Sequence, residues 1–209
     1  MSSTTLGFGT VGLILAGGLA RRMGGGDKAL LPVAGRPILA HLVGRLQGQC
    51  DGVILNANGD PARFATFDLP VIADTVPDFA GPLAGILAGL DWLAAHRPAV
   101  TWLLSVAADT PFIPADLAAR LHEARMAAGT PLACAASGGR AHHAIGLWPV
   151  SLREDLRRSL AAGERKIGAW TGRHGVATAE WSAEPFDPFF NINAPGDLAE
   201  AERFAAQAR

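Results

Sequence analysis

The chain has 209 residues, a formal net charge of -1, 49% hydrophobic residues and 18% charged residues. The high hydrophobic fraction excludes an intrinsically disordered chain, and the length allows one large domain or two small ones. The near-neutral charge excludes a general attraction to nucleic acid or to an anionic membrane, so positive charge has to act locally, in a site.

The sequence predicts a single domain that spans residues 1–209, of which residues 1–9 form a loose tail. The mostly apolar stretch 6–20 is not typical of an export signal, because Arg21 and Arg22 follow it instead of preceding it. No apolar run reaches the roughly 18 residues that a membrane span needs. The two cysteines form no CxxC pair, which argues against a zinc site or a disulfide framework. We therefore expect a cytoplasmic protein without a membrane partner.

The stretch from Val11 to Lys28 indicates a buried strand that leads into a phosphate-binding loop. A short apolar run ends at Gly17 and Gly18, and a glycine-rich loop with Arg22 follows. Glycines past the end of a strand let backbone N–H groups approach an anion, and arginine and lysine add formal charge.

Two other phosphate-binding patterns do not fit this stretch. A P-loop needs Ser or Thr directly after the lysine, whereas Ala29 follows Lys28. The glycine pattern at 7–12 precedes the strand, whereas a dinucleotide fingerprint follows one.

Helices and strands then alternate along the chain. The predicted elements are a helix opened by Pro37, strands at 53–55 and 69–72, a helix from Gly81, a strand at 101–108, a helix opened by Pro114, strands at 132–136 and 144–148, a helix after Ser151, a short helix from Glu164, a strand at 176–181 and a last helix opened by Pro195. This alternation predicts an α/β fold, a single Rossmann-like three-layer domain with a mostly parallel sheet.

Three local patterns add detail to this scheme. Gly81, Gly85 and Gly89 recur every four residues in the second helix, which predicts a close approach of either a neighbouring element or a ligand. Ser151 and Glu154 predict a capping box. The polar segment 137–143 is predicted to connect two strands.

Polar side chains follow three predicted strands. Asn56, Asp74 and Asp109 each come at or just after the end of an apolar run. The carboxyl ends of parallel strands share one edge of the sheet, where open α/β sheets bind ligands. We therefore expect these residues to lie near the glycine loop.

Several motifs together resemble a known family. The glycine loop resembles the signature of nucleotidyltransferases, and its closer form resembles the molybdenum cofactor guanylyltransferases, a MobA-like family. The matching blocks are Leu15-Ala16-Gly17-Gly18, Arg21-Arg22-Met23-Gly24-Gly25, Asp27-Lys28, Asp74, Gly81-Pro82-Leu83-Ala84-Gly85, Asp109-Thr110-Pro111 and Asn191-Ile192-Asn193-Ala194-Pro195. The resemblance implies an α/β fold of the nucleotidyltransferase type.

The resemblance also implies a reaction. Enzymes of this family transfer GMP from GTP to the phosphate of molybdenum-bound molybdopterin and release pyrophosphate. By motif, the GTP-binding residues would be Leu15, Ala16, Gly17, Gly18, Lys28, Asn56, Asp74 and Asp109, with Mg²⁺ on Asp109. Implied protein partners are other molybdenum cofactor biosynthesis proteins and the acceptor molybdoenzymes or their chaperones.

The charged residues of the loop suit the chemistry of nucleotidyl transfer, which needs charge stabilisation and no protein nucleophile. Lys28 is expected to hold phosphates, Arg22 to neutralise the leaving pyrophosphate, and Asp109 to hold Mg²⁺. These three are the predicted catalytic residues. Asp27 is expected to orient Lys28 or Arg22.

The acceptor side is less defined. Arg140, His142, Arg165 and Lys166 are cationic candidates for an acceptor phosphate, and each also fits a solvated surface residue. The chain has His142-His143-Ala144 where the family has His-Pro-Thr. A metal shared by the two histidines is disfavoured, since neighbours on a strand point to opposite faces.

Two other functions remain open at this point. A related nucleotidyltransferase that uses CTP or another phosphorylated acceptor would have the same fold. A protein that binds the cofactor without turnover would share the binding residues.

Overall fold

The structure, a computed structural model, describes residues 9–17, 27–76 and 81–207. A seven-stranded sheet forms the centre of this part of the chain. The predicted loose tail lies almost wholly outside the described residues, as do Gly18 and Arg22. The strands are β1 (Thr10–Leu15), β2 (Pro32–Val33), β3 (Arg36–Pro37), β4 (Val53–Asn56), β5 (Val71–Ile72), β6 (Trp102–Ala107), β7 (Leu132–Ser137), β8 (Arg140–Pro149) and β9 (Val176–Trp181). The helices are α1 (Ile38–Gln47), α2 (Pro82–His96), α3 (Leu117–Ala128), α4 (Arg153–Ala161), α5 (Ile167–His174) and α6 (Pro195–Gln207).

The sheet has the order β5-β4-β1-β6-β8-β7-β9, and β2 and β3 form a separate hairpin. Strand β8 runs antiparallel to both of its neighbours, whereas the other pairings in the large sheet are parallel. The predicted mostly parallel α/β sheet is therefore confirmed.

Helices cover both faces of the sheet. Because successive strand residues point to opposite faces, Ile14 packs into a core with α1 and α3, and Leu13 into a second core with α2 and α4. The three layers follow from this alternation. None of the helices among the described residues is long and apolar enough to cross a membrane.

The strand register aligns the carboxyl ends of four strands. Leu15 at the end of β1 pairs with Asn56 on one side and with Ala107 on the other, and Asn56 pairs in turn with Ile72. The residues that follow these strands therefore emerge at one edge of the sheet, as the sequence predicts.

Two local predictions differ from the structure. The segment 137–143 is no extended loop: Gly138 and Gly139 have φ of 55° and 75°, which closes a two-residue hairpin turn, and β8 starts at Arg140. The capping box is absent at α4, because a 3₁₀ turn at Val150–Leu152 precedes that helix. Glu154 pairs with Arg153 and Arg157 instead.

Candidate active site

Four polar side chains meet beyond the end of β6. The Lys28 ammonium donates a hydrogen bond to Asn193 Oδ1 at 2.8 Å and lies 3.9 Å from Asp109 Oδ2. The other oxygen of Asp109 accepts a hydrogen bond from Asn191 Nδ2 at 2.9 Å. The backbone also joins these segments, since the Ile192 N–H donates to the Asp109 carbonyl at 2.9 Å. One lysine and one carboxylate are thus held by a segment more than eighty residues away in the chain.

A second polar cluster lies beyond β4 and β5. The Asp74 carboxylate accepts one hydrogen bond from Asn56 Nδ2 at 2.9 Å and another from Asn58 Nδ2 at 2.8 Å. The Asp74 N–H donates to Asn58 Oδ1 at 2.9 Å. The side chain of Asn58 therefore holds both the carboxylate and the backbone of Asp74. Asn56 is buried, with 2% of its surface exposed. These contacts fix the direction of the Asp74 carboxylate.

The end of β1 separates the two clusters and lines two adjoining hollows. A hollow of about 130 Å³ is lined by Leu15, Ala16, Asp27, Lys28, Ala29, Ala107, Ala108 and Asp109. A larger one of about 320 Å³ is lined by Leu15, Gly17, Asn56, Asp74, Gly81, Pro82, Ala107, Asp109, Ala144 and Asn191. We call the two hollows together the cleft.

Seven of the nine residues predicted for the site line this cleft: Leu15, Ala16, Gly17, Lys28, Asn56, Asp74 and Asp109. Gly18 and Arg22 lie outside the described residues. A Cβ atom on Gly17 would lie 3.7 Å from Asn56 Oδ1 and 3.8 Å from Asn58 Nδ2, so the loop backbone begins directly above the Asp74 cluster. The binding roles of the nine residues stay predictions.

Sequence reasoning missed three contributors to the cleft region. Asn58 is not among the predicted site residues, and Asn191 and Asn193 were predicted only as parts of a family block. Their roles depend on contacts across 16, 82 and 165 positions, which no local pattern reveals. A signal was present in the recurrence of Asn-x-Asn, at 56–58 and again at 191–193.

Among the described residues Asp27 pairs with Arg63 and not with Lys28, and its other expected partner, Arg22, lies outside them. Asp27 Oδ2 forms an ion pair with Arg63 Nε at 2.8 Å, whereas the contacts of Lys28 are with Asn193 and Asp109. Asp27 has extended backbone angles and precedes the 3₁₀ turn Lys28–Leu30, which begins at Lys28.

Comparisons with known proteins agree with this architecture. Residues 12–178 match the family model described as the MobA-like NTP transferase domain. The chain belongs to this family. A relative from Bradyrhizobium sp. (strain ORS 278), named molybdenum cofactor guanylyltransferase, is 62% identical over 98% of this chain and 96% of its own length.

Solved structures with different names share the fold. The molybdopterin-guanine dinucleotide biosynthesis protein A of Archaeoglobus fulgidus superposes with a TM-score of 0.70 at 22% identity, over 94% of this chain and 99% of that one. A 4-diphosphocytidyl-2C-methyl-D-erythritol synthase from Anaerococcus prevotii superposes with a TM-score of 0.73 at 12% identity, over 98% of this chain and 100% of that one. Proteins with such different names share this backbone, so the fold alone does not identify the nucleotide base.

Partial burial shifts the pKa of Asp109 at the edge of the cleft. Removal of the carboxyl from water raises the pKa of Asp109, and the Lys28 ammonium and the Asn191 amide oppose that rise. Among the described residues, Lys28 is the cation that pairs with this partly buried carboxylate, at 3.9 Å, and a carboxylate partly shielded from water favours a further positive charge.

The donor set fits Mg²⁺ only together with a substrate. Across the described ranges, no group of three or more His, Cys, Asp and Glu side chains is placed to hold a metal ion by itself. Magnesium in nucleotide sites is held by one or two carboxylates together with phosphate oxygens and water. The side chain of Asp109 is 21% exposed, so its carboxylate can serve as the one protein ligand of such an ion.

The structure does not bring the four acceptor-side candidates into the cleft described above. Arg165 Nη1 donates to the carbonyls of Leu160 and Glu164, each at 2.8 Å, and Lys166 is exposed at the start of α5. His142 Nε2 lies 2.7 Å from Ser137 Oγ, and Arg140 is exposed next to the hairpin turn. Of the 140–149 strand, Ala144 lines the cleft.

The two adjacent histidines contact different elements. The His142 ring lies 4.9 Å from the ring of Phe189, whereas His143 packs over Gly168 at the start of α5. These contacts lie on opposite faces of β8, as the strand geometry predicts.

Proposed function

We infer that this chain transfers GMP from GTP to the phosphate of molybdenum-bound molybdopterin, which forms molybdopterin guanine dinucleotide and releases pyrophosphate. The observation that carries this proposal is the cleft in which Lys28, Asp109 and the Asp74 cluster face one another at the carboxyl edge of the sheet. Family membership and the full-length relatives named for this activity support it.

The two polar clusters bind different parts of GTP. Lys28 binds the phosphates, together with the loop that contains Gly17, Gly18 and Arg22. The Asp74 cluster, with Asn56, binds the nucleoside end. An ammonium is a strong point charge for phosphate oxygens, and a fixed carboxylate with free lone pairs accepts hydrogen bonds from hydroxyl or N–H groups.

Charge balance around Asp109 supports a magnesium ion as the cofactor. Asp109 would hold Mg²⁺, and the bound ion would neutralise charge on the phosphates. Asn191 keeps the carboxylate in place through its hydrogen bond, and Asn193 does the same for Lys28.

The chemical step requires the acceptor phosphate and the α-phosphate to be held in line. An oxygen of the acceptor phosphate forms a bond to the α-phosphorus of GTP while the bond to the bridging β-phosphate oxygen breaks. Both electrons of that bond leave with pyrophosphate. Lys28 and Arg22 stabilise the charge that accumulates on the leaving group. No covalent intermediate with the protein is required.

The product has to reach a molybdoenzyme. We propose that the acceptor molybdoenzyme or its chaperone receives the product, and that the reaction takes place in the cytoplasm.

Pyrophosphate release tests the function. The purified chain is mixed with molybdenum-bound molybdopterin, Mg²⁺ and one of GTP, CTP, ATP or UTP, and pyrophosphate is measured with time. Release with GTP that is at least tenfold faster than with the other nucleotides is the expected result. Faster release with CTP would identify a cytidylyltransferase, and GTP binding without release would identify a carrier. Omission of Mg²⁺ should reduce the rate to background.

A further inference from the structure

Arg63 bridges the two halves of the cleft from outside. It lies on the 3₁₀ turn at Pro61–Phe67, which follows β4, and its Nε forms the 2.8 Å ion pair with Asp27 Oδ2. Its Nη2 donates to the Asn58 carbonyl at 2.6 Å. One guanidinium therefore contacts both the residue next to Lys28 and the residue that holds Asp74.

The surroundings fix the plane of this guanidinium. Its central carbon lies 4.8 Å above the ring of Phe64, which is buried. On the other side, Gly59 has φ of +87°, and a Cβ there would lie 2.9 Å from Arg63 Nη1. The chain thus has a glycine where a side chain would displace the arginine.

We propose that Arg63 is a positioning residue that couples the phosphate end of the GTP site to its nucleoside end. The proposal rests on the proposed function, in which Lys28 binds phosphates and the Asp74 cluster binds the nucleoside. Arg63 restrains Asp27, and hence the start of the Lys28 turn, relative to Asn58. A ligand that spans both ends then binds to a cleft whose two halves are already correctly spaced.

The geometry favours arginine over lysine at this position. A guanidinium presents several donors in a rigid plane and can bond two acceptors in different directions, whereas an ammonium lacks that fixed fork. The pair contributes little to folding, because the side chains of Arg63 and Asp27 are 31% and 23% exposed. Its effect is on the alignment of the two ends.

Binding of GTP is compared with binding of its two parts, guanosine and pyrophosphate, by competition with a fluorescent GTP analogue. Arg63→Ala is expected to weaken the binding of GTP about tenfold and the binding of guanosine or pyrophosphate less than about threefold. Only intact GTP spans both ends of the cleft and depends on the distance between them. Arg63→Lys should give an intermediate loss. Arg153→Ala is the matched control, because Arg153 is also 31% exposed and pairs with Asp91 and Glu154 on α2 and α4; it should bind GTP like the wild type.

Asp27→Asn separates positioning from simple electrostatics. Removal of a carboxylate near the phosphates would tighten anion binding by charge alone. If Arg63 acts through Asp27 to space the two ends of the cleft, Asp27→Asn should bind GTP more weakly and pyrophosphate equally well or more tightly. In the double variant with Arg63→Ala, the loss should be no larger than in Arg63→Ala alone.

The proposal is overturned if GTP binds equally well to Arg63→Ala and Arg153→Ala, or if GTP and its parts weaken by the same factor. Should Arg63→Ala fail to fold, tighter GTP binding to Asp27→Asn would overturn the proposal on its own, and weaker binding would support it. A wild-type chain that binds GTP but releases no pyrophosphate would contradict the proposed function and leave the binding comparison valid.

Discussion

The Asp109 carboxyl is destabilised by the position in which the fold holds it. Burial is the largest influence on its pKa and raises it, in spite of the nearby Lys28 and Asn191. When the pKa of an acid is higher in the folded chain than in the unfolded chain, the protonated acid contributes to stability below its ordinary pKa. That contribution is lost as the pH rises through the pKa of the folded chain. At neutral pH, the ionised form therefore opposes folding.

Asp109→Asn should consequently make the free protein more stable and inactive. The amide keeps the shape of the side chain and removes the buried charge, so the midpoint of thermal unfolding at pH 7 should rise by about 2 °C. Pyrophosphate release should fall at least a hundredfold, since the proposed magnesium ligand is lost. Differential scanning calorimetry and the release assay measure the two effects.

The pH dependence checks the cause of this stabilisation. Below the ordinary pKa of an aspartate, the wild-type carboxyl is protonated in both the folded and the unfolded chain, so the difference between the two proteins should shrink by pH 3. An equal rise at pH 3 and pH 7 would mean that burial of charge is not its source. Normal turnover by the variant would exclude Asp109 as the metal ligand.

At the scale of the element, α2 approaches the cleft through a glycine. A Cβ on Gly85 would lie 2.3 Å from Asn56 Oδ1 and 2.7 Å from Leu15 Cδ2. Neither neighbour can move freely, because Asn56 donates to Asp74 and Leu15 belongs to the central sheet. The absence of a side chain at Gly85 therefore lets α2 pack closely against the residues that form the cleft.

Gly85→Ala should destabilise the fold and disturb the site together. We expect a loss of about 1–3 kcal/mol in the free energy of unfolding, as for other overpacked interiors, and weaker GTP binding. Gly44→Ala in α1 is the control, because a Cβ there meets nothing within 4 Å. That change should stabilise the protein by up to about 1 kcal/mol and leave GTP binding unchanged. Urea unfolding of both variants tests the pair, and a stabilised Gly85→Ala would disprove the close approach.

The same helix shows how far sequence reasoning extends. The four-residue spacing of its glycines predicts a close approach but does not identify the neighbour. In the structure, Gly89 packs against Leu13 and Leu103, and Gly85 against Asn56. Packing therefore accounts for Gly85 and Gly89, and Asn56 is itself a predicted site residue. Gly81 differs, because an added Cβ there would meet nothing within 4 Å and its φ of +74° is what favours glycine.

Apolar runs and the polar residues after them predicted the parallel sheet and its functional edge, because burial on both faces leaves a local pattern. The antiparallel course of β8 also has a local signal, Gly138-Gly139, because two glycines between apolar runs favour a two-residue hairpin turn. The contacts of Arg63 and Asn191, by contrast, are long-range. A pattern that repeats within a few residues can be read from the chain, whereas a pairing across the fold cannot.

At the scale of the whole molecule, the two edges of the sheet have different electrostatic properties. The cleft lies at the carboxyl edge. Near the amino edge, His122 on α3 is 3% exposed and lies 3.0 Å from Thr10 Oγ1 through its Nε2. Arg125 Nε donates to its Nδ1 at 3.2 Å, and the ring of Trp102 packs edge-on against it.

These surroundings favour the neutral imidazole. Burial, and secondly the charge of Arg125, lower the pKa of His122 from 6.5 to about 4. The unfolded chain therefore binds a proton between these values that the folded chain does not. Stability from this group is complete above pH 6.5 and is lost as the pH falls towards 4.

The stability of the wild-type protein should thus decrease on acidification for a reason unrelated to the cleft. About 2 kcal/mol of the fall in unfolding free energy between pH 7.5 and pH 5 should come from His122. In His122→Gln that part of the fall should be absent, although the variant is less stable at pH 7.5 through the lost ring contact with Trp102. Urea unfolding at the two pH values measures the difference, and an equal fall in both proteins would refute the assignment. GTP affinity of the folded variant at pH 7.5 should match that of the wild type, because the substitution lies at the edge of the sheet opposite the cleft.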